Sequence, residues 1–310
     1  MSLAFVFPGQ GSQSVGMLAE LAAAHPLVRD TFAEASQALG YDLWQLTQAG
    51  PVEELNQTHI TQPAMLTAGV AAWRVWQEKN GKAPAVMAGH SLGEYTALVC
   101  AGALAFADGV ALVAERGRYM QEAVPAGTGA MAAILGLEDA QVVEACASAA
   151  QGQVVSAVNF NSPGQVVIAG HAAAVERAME AAKAMGAKRA LPLPVSVPSH
   201  CALMQPAAER LAERLAGISV QVPQIPVINN VDVAVAADAA AIRQALARQL
   251  HSPVRWVETV QKMAADGVDA LVECGPGKVL VGLNKRIAKD MKTFAIVDTA
   301  SLDEALAALS

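Results

Sequence analysis

Charge is scarce in this chain: 16% of its 310 residues, with 28 acidic side chains against 21 basic ones and a net charge of −7. That balance excludes general nucleic-acid binding, which needs a basic surface, while leaving room for a local basic patch that meets an acidic partner. Cysteine is sparse as well. Cys100, Cys146, Cys201 and Cys274 are scattered without a C-x-x-C pair, so the expectation is reduced thiols in a cytosolic protein. No apolar run is long enough to cross a bilayer. The longest uncharged apolar windows, residues 95–107 and 123–137, fall short of the ~20 required, and Pro125, Gly127 and Gly129 break the second. The N-terminus lacks a basic n-region and a cleavage site, since Met1-Ser2-Leu3 runs straight into a strand, so no signal peptide is expected. Repeats and low-complexity tracts are missing too.

What is abundant is apolar and small. Hydrophobic residues make up 54% of the chain, with alanine conspicuous, which excludes disorder and points to closely packed α/β layers. The length suits one large domain or two modest ones. Residues 3–7 read as a first strand followed by the glycine-rich turn Pro8-Gly9-Gln10-Gly11-Ser12. Helical periodicity then runs from Leu18 to Leu39, and Gly40 stops it. Further helices are predicted over 63–76 and 108–122, with a strand over 83–88 between them. This alternation implies a parallel sheet with helices on both faces.

The rhythm changes in the middle. Strands over 129–136, 154–160, 165–169 and 187–193 and helices over 138–150 and 172–185 follow the order β-α-β-β-α-β of a ferredoxin-like unit. The predicted architecture is therefore α/β-hydrolase-like for residues 1–126 and 195–310, with residues 127–194 inserted as a small ferredoxin-like α+β domain. The stiff return Pro192-Leu193-Pro194-Val195-Ser196-Val197-Pro198 delivers the chain to Ser199-His200. Beyond it come helices over 201–215, 239–250, 254–265 and 278–289, and strands over 226–229 and 270–273.

The most informative segment is Gly89-His90-Ser91-Leu92-Gly93, a G-x-S-x-G pattern. The pattern alone is common. Here a short apolar strand precedes it and a helix with a small-residue face follows, the setting of a nucleophile elbow. Such a turn pushes the Ser91 hydroxyl toward substrate and aims helix N-terminal amides at any oxyanion formed there. Serine needs a base. Among six histidines, His90 is expected to pack or bond locally, and His25, His59, His171 and His251 carry no distinguishing feature. His200 ends a rigid segment at the junction of the proposed domains, where a pocket would form. Cys201 beside it is expected to pack. No acid is singled out to complete a triad: Asp232, Asp238, Asp266 and Asp269 all follow His200, and a backbone carbonyl would orient the ring equally well. Gly9-x-Gly11 resembles the start of a dinucleotide fingerprint, but Ser14 occupies its third glycine position, so the loop fits better as the source of a second oxyanion N–H. Gly275-Pro276-Gly277-Lys278 is too short for a Walker A loop. Arg116 and Arg118, on a mostly apolar helix, are candidates for a carboxylate clamp or a solvated end.

Together, Phe7-Pro8-Gly9-Gln10-Gly11-Ser12-Gln13, Gly89-His90-Ser91-Leu92-Gly93-Glu94, Ala114-Glu115-Arg116-Gly117, Asn159-Phe160-Asn161-Ser162-Pro163-Gly164-Gln165 and Pro198-Ser199-His200 resemble, in order and across the whole chain, the malonyl-CoA:acyl carrier protein transacylases of bacterial type II fatty acid synthesis. The resemblance implies Ser91 as nucleophile and His200 as base, with the Gln10 and Leu92 amides as oxyanion hole. It implies Arg116 as the malonyl-carboxylate ligand and the main-chain carbonyl of Gln249 as the group orienting the histidine. It further implies a cytoplasmic monomer that uses malonyl-CoA and an acidic acyl carrier protein, without metal or cofactor, nucleic acid or membrane. Val197-Pro198-Ser199-His200 matches neither usual signature of the related polyketide acyltransferases. For the carrier protein, Lys183, Lys188, Arg189, Lys285 and Arg286 are the expected docking charges. The rivals are a discrete polyketide-type acyltransferase, an esterase or lipase-like hydrolase, and a non-catalytic docking module.

Overall fold

The first strand, β1 (Leu3–Phe7), is buried along its whole length and lies in the middle of the larger sheet. The computed structural model describes residues 2–195 and 197–309; Met1, at the start of the predicted first segment, and Ser196, inside the proline-rich return, lie outside them. After β1 come helices α1 (Ala19–Ala24), α2 (Leu27–Leu39), α3 (Leu43–Ala49), α4 (Val52–Leu55) and α5 (Thr58–Glu78), then β2 (Val86–Gly89), α6 (Gly93–Cys100) and α7 (Phe106–Ala123). The middle of the chain holds β3 (Gly129–Leu135), α8 (Asp139–Ala149), β4 (Val155–Ser162), β5 (Gln165–His171), α9 (Ala172–Ala184) and β6 (Arg189–Pro192). The remainder holds α10 (Gln205–Ala216), β7 (Val227–Ile228), α11 (Ala239–Gln249), α12 (Trp256–Ala265), β8 (Ala270–Cys274), α13 (Val279–Ile287), β9 (Lys292–Ile296) and α14 (Thr299–Leu309).

Five parallel strands form the larger sheet, in the order β7-β2-β1-β8-β9. Their period of two splits the core. Leu3, Phe5 and Phe7 face Trp73 and Trp76 of α5, with Phe5 edge-on to both rings at 5.1 and 5.3 Å. Ala4, Val6 and Leu271 face α12 and α13 through Val260, Met263, Leu280 and Leu283. Burial on both faces is why these strands read as unbroken apolar runs rather than as alternation.

The predicted helix from Leu18 to Leu39 is two helices. Pro26 forces the preceding His25 into an extended conformation (φ −130°, ψ 97°) and the chain restarts at Leu27. Pro63, expected near a helix start, lies inside α5, which begins at Thr58. The segments α3, α4, β9 and α14 were not predicted. β9 is a short sheet-edge strand whose first residues are partly exposed, so its alternation is weak.

The middle segment forms a separate antiparallel sheet, order β4-β5-β3-β6, with α8 and α9 burying a second apolar cluster. This sheet is tied to the larger body by main-chain bonds. Val254 N–H donates to the Val158 carbonyl at 2.8 Å, and Phe160 N–H donates to the Val254 carbonyl at 3.0 Å. That pairing is why the helix predicted from 254 starts only at Trp256. Among the described residues, no helix is long and apolar enough to cross a membrane.

Candidate active site

The carboxyl ends of β1, β2, β7 and β8 converge, and ligands of open parallel sheets bind at such ends. At the end of β2 the chain turns sharply into α6 through Ser91, whose φ is +52°. The two flanking glycines are required by close approach. A Cβ on Gly89 would lie 1.8 Å from the Gly93 carbonyl carbon, and one on Gly93 would lie 2.0 Å from the Phe7 carbonyl oxygen. The Pro8–Gln10 loop crosses the elbow so closely that a Cβ on Gly9 would meet the His90 carbonyl oxygen at 2.6 Å. Among the described residues, neither the Gln10 nor the Leu92 amide has a protein acceptor. The Gln10 side chain itself is exposed and reaches Thr58.

Ser91 Oγ lies 2.7 Å from Nε2 of His200. The other ring nitrogen, Nδ1, is 2.8 Å from the main-chain carbonyl oxygen of Gln249. A carbonyl only accepts, so Nδ1 carries the proton and Nε2 is left to accept from the serine hydroxyl. His200 N–H also donates to the next carbonyl, Leu250, at 2.9 Å. These two carbonyls close the C-terminus of α11, where helix oxygens lack i+4 partners and the dipole is negative. The helix end therefore fills the place of a triad aspartate. Burial and the Arg116 charge lower the His200 pKa to about 3, so the ring is neutral at physiological pH.

Arg116, 1% exposed, enters from α7, while Arg118 points to solvent. Its Nη1 donates to Gln62 Oε1 at 2.7 Å and its Nη2 to Gln249 Oε1 at 3.0 Å, with the guanidinium over the Tyr95 ring. Nε is buried without a partner. No carboxylate forms an ion pair with this cation among the described residues. A buried, unneutralised guanidinium is a ready partner for an anionic ligand.

Sequence reasoning missed several residues that hold this arrangement. Asn230 accepts from Ser91 N–H at 2.7 Å and donates to the Gly89 carbonyl at 2.6 Å, clasping the elbow from both sides. Glu94 receives Asn230 N–H and Gln249 Nε2 on one oxygen. The only available signal for Asn230 was its place at the carboxyl end of a predicted strand. His90, expected to pack or bond locally, packs against the Trp256 ring at 5.6 Å and bonds to Asn161 of β4 at 2.7 Å, a partner 71 residues away. Cys201 packs as anticipated, its thiol directed to the Pro198 carbonyl. Among the described residues, no group of three His, Cys, Asp or Glu side chains is arranged to hold a metal.

A profile described as the acyl transferase domain matches residues 4–307. The chain belongs to the acyl transferase family. A malonyl CoA-acyl carrier protein transacylase of Salmonella typhimurium is 67% identical over 303 residues, covering 98% of either chain. A crystal structure of an acyl carrier protein S-malonyltransferase from Vibrio cholerae superposes with a TM-score of 0.96 at 64% identity, over 98% of this chain and 99% of that one. A malonyl-transacylase solved in complex with its type II PKS acyl-carrier protein gives a TM-score of 0.98 at 63% identity, over 99% of this chain and 100% of that one. This acyl transferase is thus similar along its whole length to malonyl-transferring relatives, and its Ser91, His200 and Arg116 stand together in one hydrogen-bonded site.

Proposed function

We propose that this acyltransferase moves a malonyl group from malonyl-CoA to the phosphopantetheine thiol of an acyl carrier protein, through an ester on Ser91. The observation that carries the reading is a serine hydroxyl 2.7 Å from a neutral histidine, joined through one glutamine to a buried arginine with no carboxylate partner among the described residues. His200 Nε2 takes the Ser91 proton as Oγ attacks the thioester carbonyl. The Gln10 and Leu92 amides hold the oxyanion, a role in which loss of one donor removes about 10²–10³ in rate. The tetrahedral species expels the CoA thiolate, which takes the proton from His200. The carrier thiol then attacks the malonyl ester, gives its proton to His200, and Ser91 recovers that proton on leaving. Thioester is exchanged for thioester, so the reaction is near balance and needs neither metal nor redox cofactor.

Arg116 selects the acyl group by pairing with its free carboxylate. Residues 1–126 and 195–310 form the α/β-hydrolase-like catalytic domain. Residues 127–194 are a ferredoxin-like insert, a reading supported by the strand order of the smaller sheet. The carrier protein docks on Lys183, Lys188, Arg189, Lys285 and Arg286. Support comes from the register: Leu135 pairs with both Arg189 and Gln165, and Gln165 accepts from Arg286, so Arg189 and Arg286 share one end of the small sheet. The enzyme works as a cytoplasmic monomer in fatty acid elongation. A relative bound to a type II PKS acyl-carrier protein makes a polyketide carrier the second reading.

Intact-mass measurement tests the core of this. Incubation with malonyl-CoA should add one malonyl group, absent from Ser91→Ala, and carrier protein should then remove it. An adduct lost to water as fast as to carrier protein would make the chain a hydrolase.

A further inference from the structure

Glu94 is 2% exposed and lies three residues after the nucleophile, in the first turn of α6. One of its oxygens, Oε2, receives two donors from opposite sides of the site. Asn230 N–H comes from the loop after β7 at 2.9 Å, and Gln249 Nε2 comes from the end of α11 at 2.8 Å. Each donor is itself a clasp. Asn230 holds Ser91 N–H and the Gly89 carbonyl; Gln249 holds the Ser91 carbonyl at 3.1 Å, Arg116 through Oε1, and His200 through its main chain. Nucleophile, base and acyl-selecting cation thus meet at a single acceptor atom.

We infer that Glu94 is a positioning residue for this reaction, its Oε2 fixing Asn230 and Gln249 so that Ser91, His200 and Arg116 keep their mutual register. The inference rests on the proposed acyl-Ser91 reading. Gln249 also serves as an insulator. Its amide relays contact between Glu94 and Arg116 without letting the two charges pair, which would spend the cation before the substrate arrives. The other charged groups bearing on Glu94 are Arg116 from α7 and Asp232 from the loop after β7, with the Tyr95 hydroxyl beside them. Desolvation dominates and raises the carboxyl pKa to about 7. What the site uses is the acceptor and its reach, because a carbonyl oxygen in the same place takes the same two donors.

Two conservative variants separate reach from charge. Glu94→Gln keeps the length and an acceptor but removes the charge; Glu94→Asp keeps the charge but withdraws the acceptor by one methylene. Both are assayed, with the wild type, for kcat and KM with malonyl-CoA and acetyl-CoA. Ser91 labelling by diisopropyl fluorophosphate is added, because that probe needs the serine–histidine pair but has no carboxylate for Arg116. An ångström of misplacement removes up to about 10²-fold in rate, so Glu94→Asp should lose at least about tenfold in kcat for both acyl groups and in labelling. Glu94→Gln should stay within about threefold of wild type on all three, with the KM for malonyl-CoA likewise kept. Glu94→Asp matching or exceeding Glu94→Gln, or both variants equalling wild type, would overturn the inference. A wild type that forms no malonyl adduct would instead remove the proposed function, while the labelling series would still judge the positioning role.

Discussion

Truncating Arg116 to alanine gives the sharpest test of acyl selection. The guanidinium is buried, two of its nitrogens are held by Gln62 and Gln249, and no carboxylate among the described residues pairs with it. A malonyl carboxylate that accepts two charge-assisted hydrogen bonds gains roughly 1.5–3 kcal/mol from each, or about 3–6 kcal/mol in all. At about 1.4 kcal/mol per tenfold, that is a factor of roughly 10²–10⁴ in kcat/KM. The truncation also strands two buried glutamine oxygens, but this affects every acyl donor alike. Acetyl-CoA carries no carboxylate, so its transfer should hold or rise once the uncompensated cation is gone. The measured quantity is the malonyl-to-acetyl ratio of kcat/KM, followed by loss of CoA ester in the presence of carrier protein. It should fall by at least about 10². Equal losses for the two donors, leaving the ratio unchanged, would show that Arg116 only braces Gln249 and the helix end.

Four further outcomes follow from other parts of the molecule. Gly93→Ala should lose activity and more than about 4 kcal/mol of stability in urea titration, because backbone confronts backbone at 2.0 Å. Gly282→Ala, in α13 with open space around it, should be neutral or gain up to about 1 kcal/mol. Glu273 is fully buried at the end of β8, bonded to Val281 N–H on one oxygen and unpartnered on the other, and burial raises its pKa to about 7. The folded state then keeps a proton that the unfolded state releases above about 4.5, so stability from this group is present below that pH and is lost as pH rises through about 7. Glu273→Gln removes the effect, so its Tm should exceed wild type by at least ~2 °C at pH 8 and converge with it near pH 4.5, a gap that scanning fluorimetry resolves. Reversing Lys188, Arg189, Lys285 and Arg286 to glutamate should raise the KM for carrier protein and flatten its salt dependence, while the malonyl-CoA half-reaction is unchanged.

The legible parts of the sequence were those in which one local constraint acts alone. The glycines around Ser91 announce a tight strand-to-helix turn because no other residue fits between Phe7 and the elbow. The small antiparallel sheet was visible because its hairpin and its two helices are complete units in sequence. No acid after His200 could be singled out, because the histidine leans on carbonyls at a helix end, and a carbonyl leaves no mark on residue type. Asn230 and Gln62 were invisible for a related reason. Each matters through partners more than 50 residues away, 139 for Ser91 and Asn230 and 54 for Gln62 and Arg116. Of the two arginines on α7, only the fold decides which is inside. They sit two positions apart, on opposite sides of a helix.

The position of β1 in its sheet has a consequence for synthesis. Among the five strands of that sheet it comes first in chain order and lies at the centre, with β2 on one flank and β8 on the other. β2 emerges within about 80 residues, but β8 follows only some 260 residues after β1. At roughly 5–20 residues per second, the ribosome leaves the second edge of Leu3–Phe7 unpaired for about 13–50 s. The side chains of that strand are all apolar and its open edge presents unpaired N–H and C=O groups, a template for any passing strand. A chain released before Ala270 retains the elbow serine but has no way to close that edge. Premature termination would therefore yield insoluble fragments rather than weakly active ones, and the nascent protein is a natural client for chaperones that shield extended apolar segments.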